Sequence, residues 1–368
     1  MYLKLLHTGD VHLGAKFSSL GEKGKEHRKQ IEKTFENVID LAIEKNVNAF
    51  LVAGDLFDNT NPSQSSLSFV KRQFKRLQDN GIWVIVIPGT HDRLVPGSVF
   101  AKTKFRGDKI IVFQNDVEST YVSELDCTFY ARPNTSNKSL KSPLEGIRKK
   151  DEGEYHIALA HGSYQIEGKS SKDDYPITDK DIKDSGLDYL ALAHWHNPLE
   201  VSQGKSTAYY CGSPEIVALD QKNGGTALMV ELEDRKCNVE VLSTGRRLVK
   251  SIKVDIEKIK SLENLEELIL KNANEDLILH VDLIGIRIKD LIIDVDQLVD
   301  SLCGKFFSFS VSDQTILDLS TLNENSFPEN YILGRFIKEV KENNELTDEQ
   351  KGRVLGYGIP LLQGEELL

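Results

Sequence analysis

The stretch Leu3-Lys4-Leu5-Leu6-His7-Thr8-Gly9-Asp10-Val11-His12-Leu13-Gly14 decides how the rest of the chain is read. Its apolar run, 3–6, suits a strand and is too short for a helix, and it breaks into a Gly-Asp pair followed by a histidine. The same order recurs downstream. Residues 48–53 form a second apolar run that ends in Gly54-Asp55-Leu56-Phe57-Asp58. Residues 82–87, almost wholly β-branched and therefore suited to burial on both faces, end in Gly89-Thr90-His91-Asp92. Two helical patterns separate these runs. In 30–44, Ile31, Phe35, Val38, Ile39 and Ala42 recur at helical spacing; in 63–79, Leu67, Val70, Phe74 and Leu77 do so behind the cap signal Asn61-Pro62-Ser63. Alternation of strand and helix marks an α/β domain.

After Gly97 the helical signal fades, and short strand candidates follow at 109–113, 128–131, 156–160, 189–193, 206–211 and 227–232. The expected fold class is α/β, with a two-layer β-sheet core flanked by helices over residues 1–245. From 246 to 320 the order strand, helix, strand, helix, strand (249–256, 261–271, 277–285, 290–302, 305–311) describes a small α+β cap domain, a candidate for contact with nucleic acid. Residues 321–368 read as a helical tail. Ile332, Phe336, Ile337 and Val340 share one stripe of 331–343, and a second helix over 347–362 starts at the N-cap residue Thr347.

Composition narrows the function classes. The 368 residues carry 46 Lys+Arg against 57 Asp+Glu, a net charge of −11, which excludes a basic coat over the whole surface. No apolar run approaches the ~20 residues of a membrane span, and the amino terminus turns polar too early for a signal peptide. Cys127, Cys211, Cys237 and Cys303 lack CxxC spacing, so the reading is a reduced, cytoplasmic protein with no zinc ribbon.

Of nine histidines, five lie directly behind strand candidates: His12, His91, His161, His194 and His196. In an α/β sheet the carboxyl ends of strands gather at one edge, where ligands bind. Sequence-distant segments thus bring carboxylates and imidazoles to one place, a donor set that suits manganese, iron or zinc. The ligands outnumber what one ion needs, which points to two ions sharing Asp55. Each motif alone has an ordinary reading: D-x-H as a loop, Gly-Asp as turn chemistry, His161 as a satisfied buried histidine. Their joint occurrence, each time at a strand end, is what carries weight. His7, His27, His156 and His280 fit no ligand pattern and are read as core or surface residues.

The ordered set D-x-H, GDxxD, G-x-HD, H and A-H-x-H resembles the calcineurin-like metallophosphoesterases. Three longer words narrow the resemblance to the SbcD-type DNA-repair exonucleases: His7-Thr8-Gly9-Asp10-Val11-His12-Leu13-Gly14, Gly54-Asp55-Leu56-Phe57-Asp58 and Tyr210-Cys211-Gly212-Ser213-Pro214-Glu215. The resemblance implies a metal-dependent nuclease with exonuclease and endonuclease activity on DNA. It implies a first metal on Asp10, His12, Asp55 and His196, and a second on Asp55, His161, His194 and the residue at position 90. His91 would stand over the scissile phosphate, oriented by Asp58. Two divalent metals are implied, manganese first, with iron, zinc or magnesium as the other candidates. The implied partners are DNA and an SbcC-like coiled-coil ATPase docked on the tail, 327–362, with a second copy of the chain left open. Thr90 departs from the family's G-N-H-[DE], where the asparagine ligates the second metal. The shorter threonine is expected to loosen that site by ~1–3 kcal/mol.

A DNA surface is sought in Lys71, Arg72, Lys75 and Arg76, which lie off the apolar stripe of 63–79 with no acid in 64–78. Lys138, Lys141, Arg148, Lys149 and Lys150 form a second basic group opposed by Glu145. Charged helix faces are more often solvated surface than binding sites. Two other functions compete with DNA repair: hydrolysis of small phosphodiesters or phosphoproteins, and a scaffold weakened by Thr90.

Overall fold

The computed structural model describes residues 2–150, 152–168, 170–222, 224–234, 236–287, 291, 293–317 and 331–362. The chain forms two compact units, Met1–Val249 and Lys250–Leu368.

Among the described residues, the first unit is built on twelve strands. They are β1 (Tyr2–Thr8), β2 (Ala49–Val52), β3 (Trp83–Val86), β4 (Ile110–Val112), β5 (Glu118–Val122), β6 (Cys127–Ala131), β7 (Tyr155–His161), β8 (Tyr189–Ala193), β9 (Pro198–Glu200), β10 (Thr207–Cys211), β11 (Thr226–Glu233) and β12 (Lys236–Ser243). Four helices accompany them: α1 (Lys23–Glu44), α2 (Gln64–Asp79), α3 (Val99–Lys102) and α4 (Asp179–Ser185). One sheet has the order β12-β11-β1-β2-β3-β4 and the other β5-β6-β7-β8-β10-β9. In the first sheet β1 to β4 are parallel; in the second β6, β7, β8 and β10 are parallel, with antiparallel β5 and β9 at the edges.

Strand periodicity sorts the core into layers. Leu6, Phe50, Val52, Val84 and Val86 face one way and pack on Ile31, Phe35 and Val38 of α1 and Val70, Phe74 and Leu77 of α2. The alternate residues Leu3, Leu5, Leu51 and Ile85 face the other way, against Phe129, Ile157, Leu159, Tyr189 and Ala191 of the second sheet. The far face of that sheet, with Ala158, Leu190, Leu192 and Tyr210, is covered by Ile182 of α4 and by Leu144, Ile147 and Ile177. Each large buried apolar side chain contributes roughly 1.5–3 kcal/mol. This is the α/β architecture of two stacked sheets flanked by helices that the sequence led us to expect.

Three strands escape the sequence reading. β5, β9 and β12 all lie at sheet edges, where polar side chains break the apolar run. α1 also starts at Lys23, seven residues before the expected 30–44 helix. The cause is a buried histidine in a polar-looking turn: His27 donates from Nε2 to the Ile216 carbonyl at 2.6 Å. Beyond Gly97, where helical signal was lacking, the short α3 and α4 are present, the latter closed by a capping box at Thr178 and Asp181.

The second unit contains β13 (Leu248–Asp255), α5 (Leu262–Leu270), β14 (Asn274–Ile284), β15 (Ile286–Arg287), α6 (Val295–Leu302), β16 (Phe306–Asp313), β17 (Ile316–Leu317), α7 (Ile332–Glu342) and α8 (Asp348–Leu362). Its sheet, β13-β14-β16, is packed through Leu279, Val281, Leu283 and Phe309 against Leu265, Ile269 and Leu298 of α5 and α6. The expected boundary at 320/321 and the start of the tail at 327–330 lie outside the described residues. In the tail, Phe336, Ile337 and Val340 of the expected stripe pack on Leu355 and Ile359 between α7 and α8. Gly358 permits that approach, since a Cβ there would stand 2.1 Å from the Phe336 ring. Ile332, Tyr357, Leu361 and Leu362 remain exposed.

Candidate metal centre

The site lies where parallel strands of both sheets end. β1 delivers Asp10 and His12, β2 delivers Asp55 and Asp58, and β3 delivers Thr90 and His91; β7 ends on His161, and β8 runs into His194 and His196. Local backbone conformation turns these side chains inward. Asp10, His12, Asp55 and His194 have φ of 48°, 51°, 50° and 109°, conformations that L residues avoid and that concentrate at functional sites. Gly89 leaves room for the carboxylate: a Cβ there would lie 2.3 Å from Asp55 Oδ1.

Ligand atoms of Asp10, His12 and His196 lie within 4.8 Å of one another, as do those of Asp55, His161 and His194. Asp55 Oδ2 links the groups, 3.2 Å from His161 Nε2 and 3.9 Å from His12 Nε2. The Thr90 hydroxyl donates to Asp55 Oδ2 at 3.2 Å and lies 3.4 Å from His161 Nε2, so it reaches the rim of the second group.

Hydrogen bonds on the outer side fix which ring nitrogens point in. A carbonyl or carboxylate only accepts, so the facing nitrogen carries the proton. His161 Nδ1 donates to the Ala53 carbonyl at 3.0 Å, His194 Nε2 to Asp174 Oδ2 at 2.8 Å, and His12 Nδ1 to Asp58 Oδ1 at 3.3 Å. In the neutral rings, the inner nitrogens of His161 and His194 therefore present two lone pairs 3.3 Å apart, beside the Asp55 carboxylate. In the first group Asp10 Oδ1 and His12 Nε2 are buried without a hydrogen-bond partner. Buried acceptors turned toward one another favour positive charge between them, so this donor set fits divalent metal.

The electrostatics agree. Burial lowers the His161 pKa, but Asp55 and Asp10 outweigh it and hold the imidazole up at about 9. Burial opposes ionisation of Asp55, yet His161 and His12 draw its carboxyl far below the usual range. The pocket stabilises positive charge despite being dry. Asp92, which receives Phe57 N and Gly89 N, is pushed up to about 7 by burial and by Asp55.

The structure differs from the sequence reading at Asp58. Its carboxylate Oδ1 is nearer His12 Nδ1, at 3.3 Å, than His91 Nδ1, at 3.7 Å, whereas His91 Nδ1 donates to the Asp58 carbonyl at 3.2 Å. Asp58 thus holds both rings, by different atoms. Asp174 was missed altogether. It sits in a loop of no periodicity, and only its contact with His194, which draws its carboxyl below the ordinary range, marks it out.

Lys71, Arg72, Lys75 and Arg76 are not brought to the metal groups; among the described residues none bonds to any of them. They are also less free than the sequence implied. Lys75 pairs with Asp79 at 2.6 Å and Arg76 with Asp40 on α1, leaving Lys71 and Arg72 exposed without an ion pair among the described residues. Lys138 and Lys149 are likewise paired, with Asp173 and Asp188. His7, His27 and His156 are buried and hydrogen-bonded, and His280 lies on the β14 face against Ser310.

The calcineurin-like phosphoesterase pattern matches residues 3–198, more than half of the chain and every strand end that supplies the site. The chain belongs to the calcineurin-like phosphoesterases. Among relatives of this phosphoesterase, the DNA double-strand break repair protein Mre11 of Saccharolobus solfataricus is 26% identical over 97% of this chain and 100% of its own length. Its counterpart in Sulfolobus acidocaldarius is 25% identical over 77% of this chain and 75% of that protein. The uncharacterized metallophosphoesterase YhaO of Bacillus subtilis is 27% identical over 73% of this chain, a match spanning 66% of the Bacillus protein. The family supplies the reaction class, metal-dependent hydrolysis of phosphate esters. No helix among the described residues is long and apolar enough to cross a membrane.

Proposed function

We propose that this phosphoesterase is a DNA-repair nuclease that cleaves phosphodiester bonds with two divalent ions, manganese foremost, bridged by Asp55. The observation that carries the reading is the pair of ligand groups, Asp10–His12–His196 and Asp55–His161–His194, with Asp55 Oδ2 of the second 3.9 Å from His12 Nε2 of the first and buried acceptors turned inward in each. Alignment with a double-strand break repair protein along its whole length supports DNA as the substrate.

Asp10, His12, Asp55 and His196 would hold one ion, and Asp55, His161, His194 and Thr90 the other. Divalent ions held by these residues would supply Lewis acidity for activating a water and positive charge to offset that on the phosphoryl oxygens. The protein's own part falls to His91. Its side chain is half exposed and held through Nδ1 by Asp58, which leaves Nε2 for the substrate. From that position it stabilises the phosphorane-like charge or donates a proton to the leaving oxygen. The exposed Ile332, Tyr357, Leu361 and Leu362 of α7 and α8 are the apolar surface left for an SbcC-like ATPase.

The test is hydrolysis of labelled linear DNA, DNA hairpins and a chromogenic phosphodiester, each with manganese, magnesium or chelator, by the unsubstituted chain and Asp55→Ala. The expected result is manganese-dependent cleavage of DNA, with metal content and turnover lost together in Asp55→Ala. Hydrolysis of the small ester alone supports the competing small-substrate reading, and full activity of Asp55→Ala overturns the site.

A further inference from the structure

We propose that Asp174 is a positioning residue for the second metal site: it holds His194 in the tautomer whose Nδ1 lone pair faces Asp55 and His161. The inference rests on the two-ion reading above and extends it to a residue outside every motif of the site.

The geometry is a chain of three groups. Asp174 Oδ2 accepts from His194 Nε2 at 2.8 Å, and His194 Nδ1 faces His161 Nε2 at 3.3 Å. With the proton committed to Nε2, Nδ1 is left as a donor atom for a metal. An imidazole free to rotate or to move its proton would present that lone pair only part of the time. A carboxylate behind the ring removes this freedom and makes the inner nitrogen more basic.

The loop is built to keep Asp174 still. Ser163 N, two residues past His161, donates to the Asp174 carbonyl at 3.1 Å, and Ile177 N returns to the Ser163 carbonyl at 2.9 Å. On the other side Tyr175 N donates to the Ser139 carbonyl at 3.0 Å, while the Tyr175 hydroxyl oxygen accepts from Ser136 N at 3.0 Å. The neighbouring acid, Asp173, turns outward to Lys138 at 2.9 Å. Two consecutive carboxylates thus take opposite directions, and only one reaches the site. The same loop also receives Trp195, whose Nε1 donates to Ser163 Oγ at 3.1 Å, so His194 is fixed through its ring and through its neighbour.

The experiment is manganese titration of the metal-free full chain, with the His194 tautomer read from long-range 15N–1H spectra at pH 8. Asp174→Ala is expected to weaken the looser manganese site about 10–100-fold and leave the tighter one unchanged. Asp174→Asn, whose amide oxygen still accepts from Nε2, is expected to restore most of the loss, and Asp173→Ala to change neither site. In the unsubstituted protein the His194 proton is expected on Nε2. Unchanged affinity in Asp174→Ala, or a proton on Nδ1 in the unsubstituted chain, overturns the proposal. Should Asp174→Ala not fold, the tautomer and the Asp174→Asn titration decide. Uptake of a single manganese ion by the unsubstituted chain refutes the two-ion reading instead, and the tautomer still tests the Asp174–His194 relation by itself.

Discussion

His161 donates from Nδ1 to the carbonyl oxygen of Ala53 at 3.0 Å. The donor ends β7 in one sheet, and the acceptor follows β2 in the other, so this hydrogen bond, with that from His194 N to Asp10 Oδ2 at 2.8 Å, ties the two layers at the floor of the site. It also commits the imidazole proton to the outer side. The next residue, Gly54, has φ of 102°, and a Cβ there would stand 2.4 Å from that same nitrogen. Glycine is needed at this position for conformation and for space alike.

Asp58 separates two roles that the motif pattern merges. Because its carboxylate faces His12 and its carbonyl faces His91, Asp58→Ala is expected to weaken manganese at the Asp10–His12–His196 group about 10–100-fold and to lower turnover as well. Metal titration alongside a kinetic assay checks this. Manganese affinity equal to that of the unsubstituted chain shows that the His12 contact has no function.

His91→Ala is expected to behave differently. The His91 ring is half exposed and its Nδ1 is spent on Asp58; it belongs to neither the Asp10–His12–His196 nor the Asp55–His161–His194 group, although its ligand atom lies within 4.8 Å of those of His12 and Asp58. Metal content should stay at the unsubstituted level while kcat falls ~10²–10⁴-fold, as for a lost acid–base group. Metal lost together with activity would place His91 among the ligands.

Thr90 is expected to leave the second ion more loosely held than the first, by ~1–3 kcal/mol. Its hydroxyl hydrogen-bonds to Asp55 at the edge of the group, where an asparagine would offer a longer amide oxygen. Manganese titration should show two unequal sites that draw together in Thr90→Asn. Two equally tight sites in the unsubstituted protein contradict this.

The pH dependence of folding is expected to carry a signature of His7. Burial pushes its imidazole down to about 3 from an ordinary 6.5, with Nδ1 against the Tyr189 hydroxyl at 2.9 Å. Below pH 6.5 the unfolded chain takes up a proton here that the folded chain refuses, so stability drains away as pH falls toward 3. Urea midpoints of the metal-free protein between pH 7 and 4 should fall less steeply for His7→Asn. Parallel slopes for the two proteins refute the assignment.

How much of this was readable in advance follows from where each residue lies. β2 and β3 are covered on both faces, so Phe50, Leu51, Val84 and Ile85 spell an unbroken apolar run; β12 at its edge exposes Val241 and breaks the pattern with Asn238 and Glu240. The candidate ligand residues were legible as a cluster because metal chemistry restricts residue type at strand ends. Asp174 was not, since its meaning depends on His194, twenty residues later and in contact only through the fold. The two attachments of Asp58 were hidden for the same reason. Spacing identifies a carboxylate, but only the closed structure tells which imidazole its oxygen meets.

The division of the ligands between the layers has a consequence for biosynthesis. Asp10, His12 and Asp55 arise from one sheet, while His161, His194 and His196 arise from the other, and the latter come more than a hundred residues later in the chain. Under the proposed assignment, a ribosome-bound fragment, or a molecule whose layers have parted, would hold half a ligand set and be inactive. Hydrolytic capacity would thereby be withheld until folding is complete, and metal held by both layers would act as a rivet whose removal loosens the seam it closes.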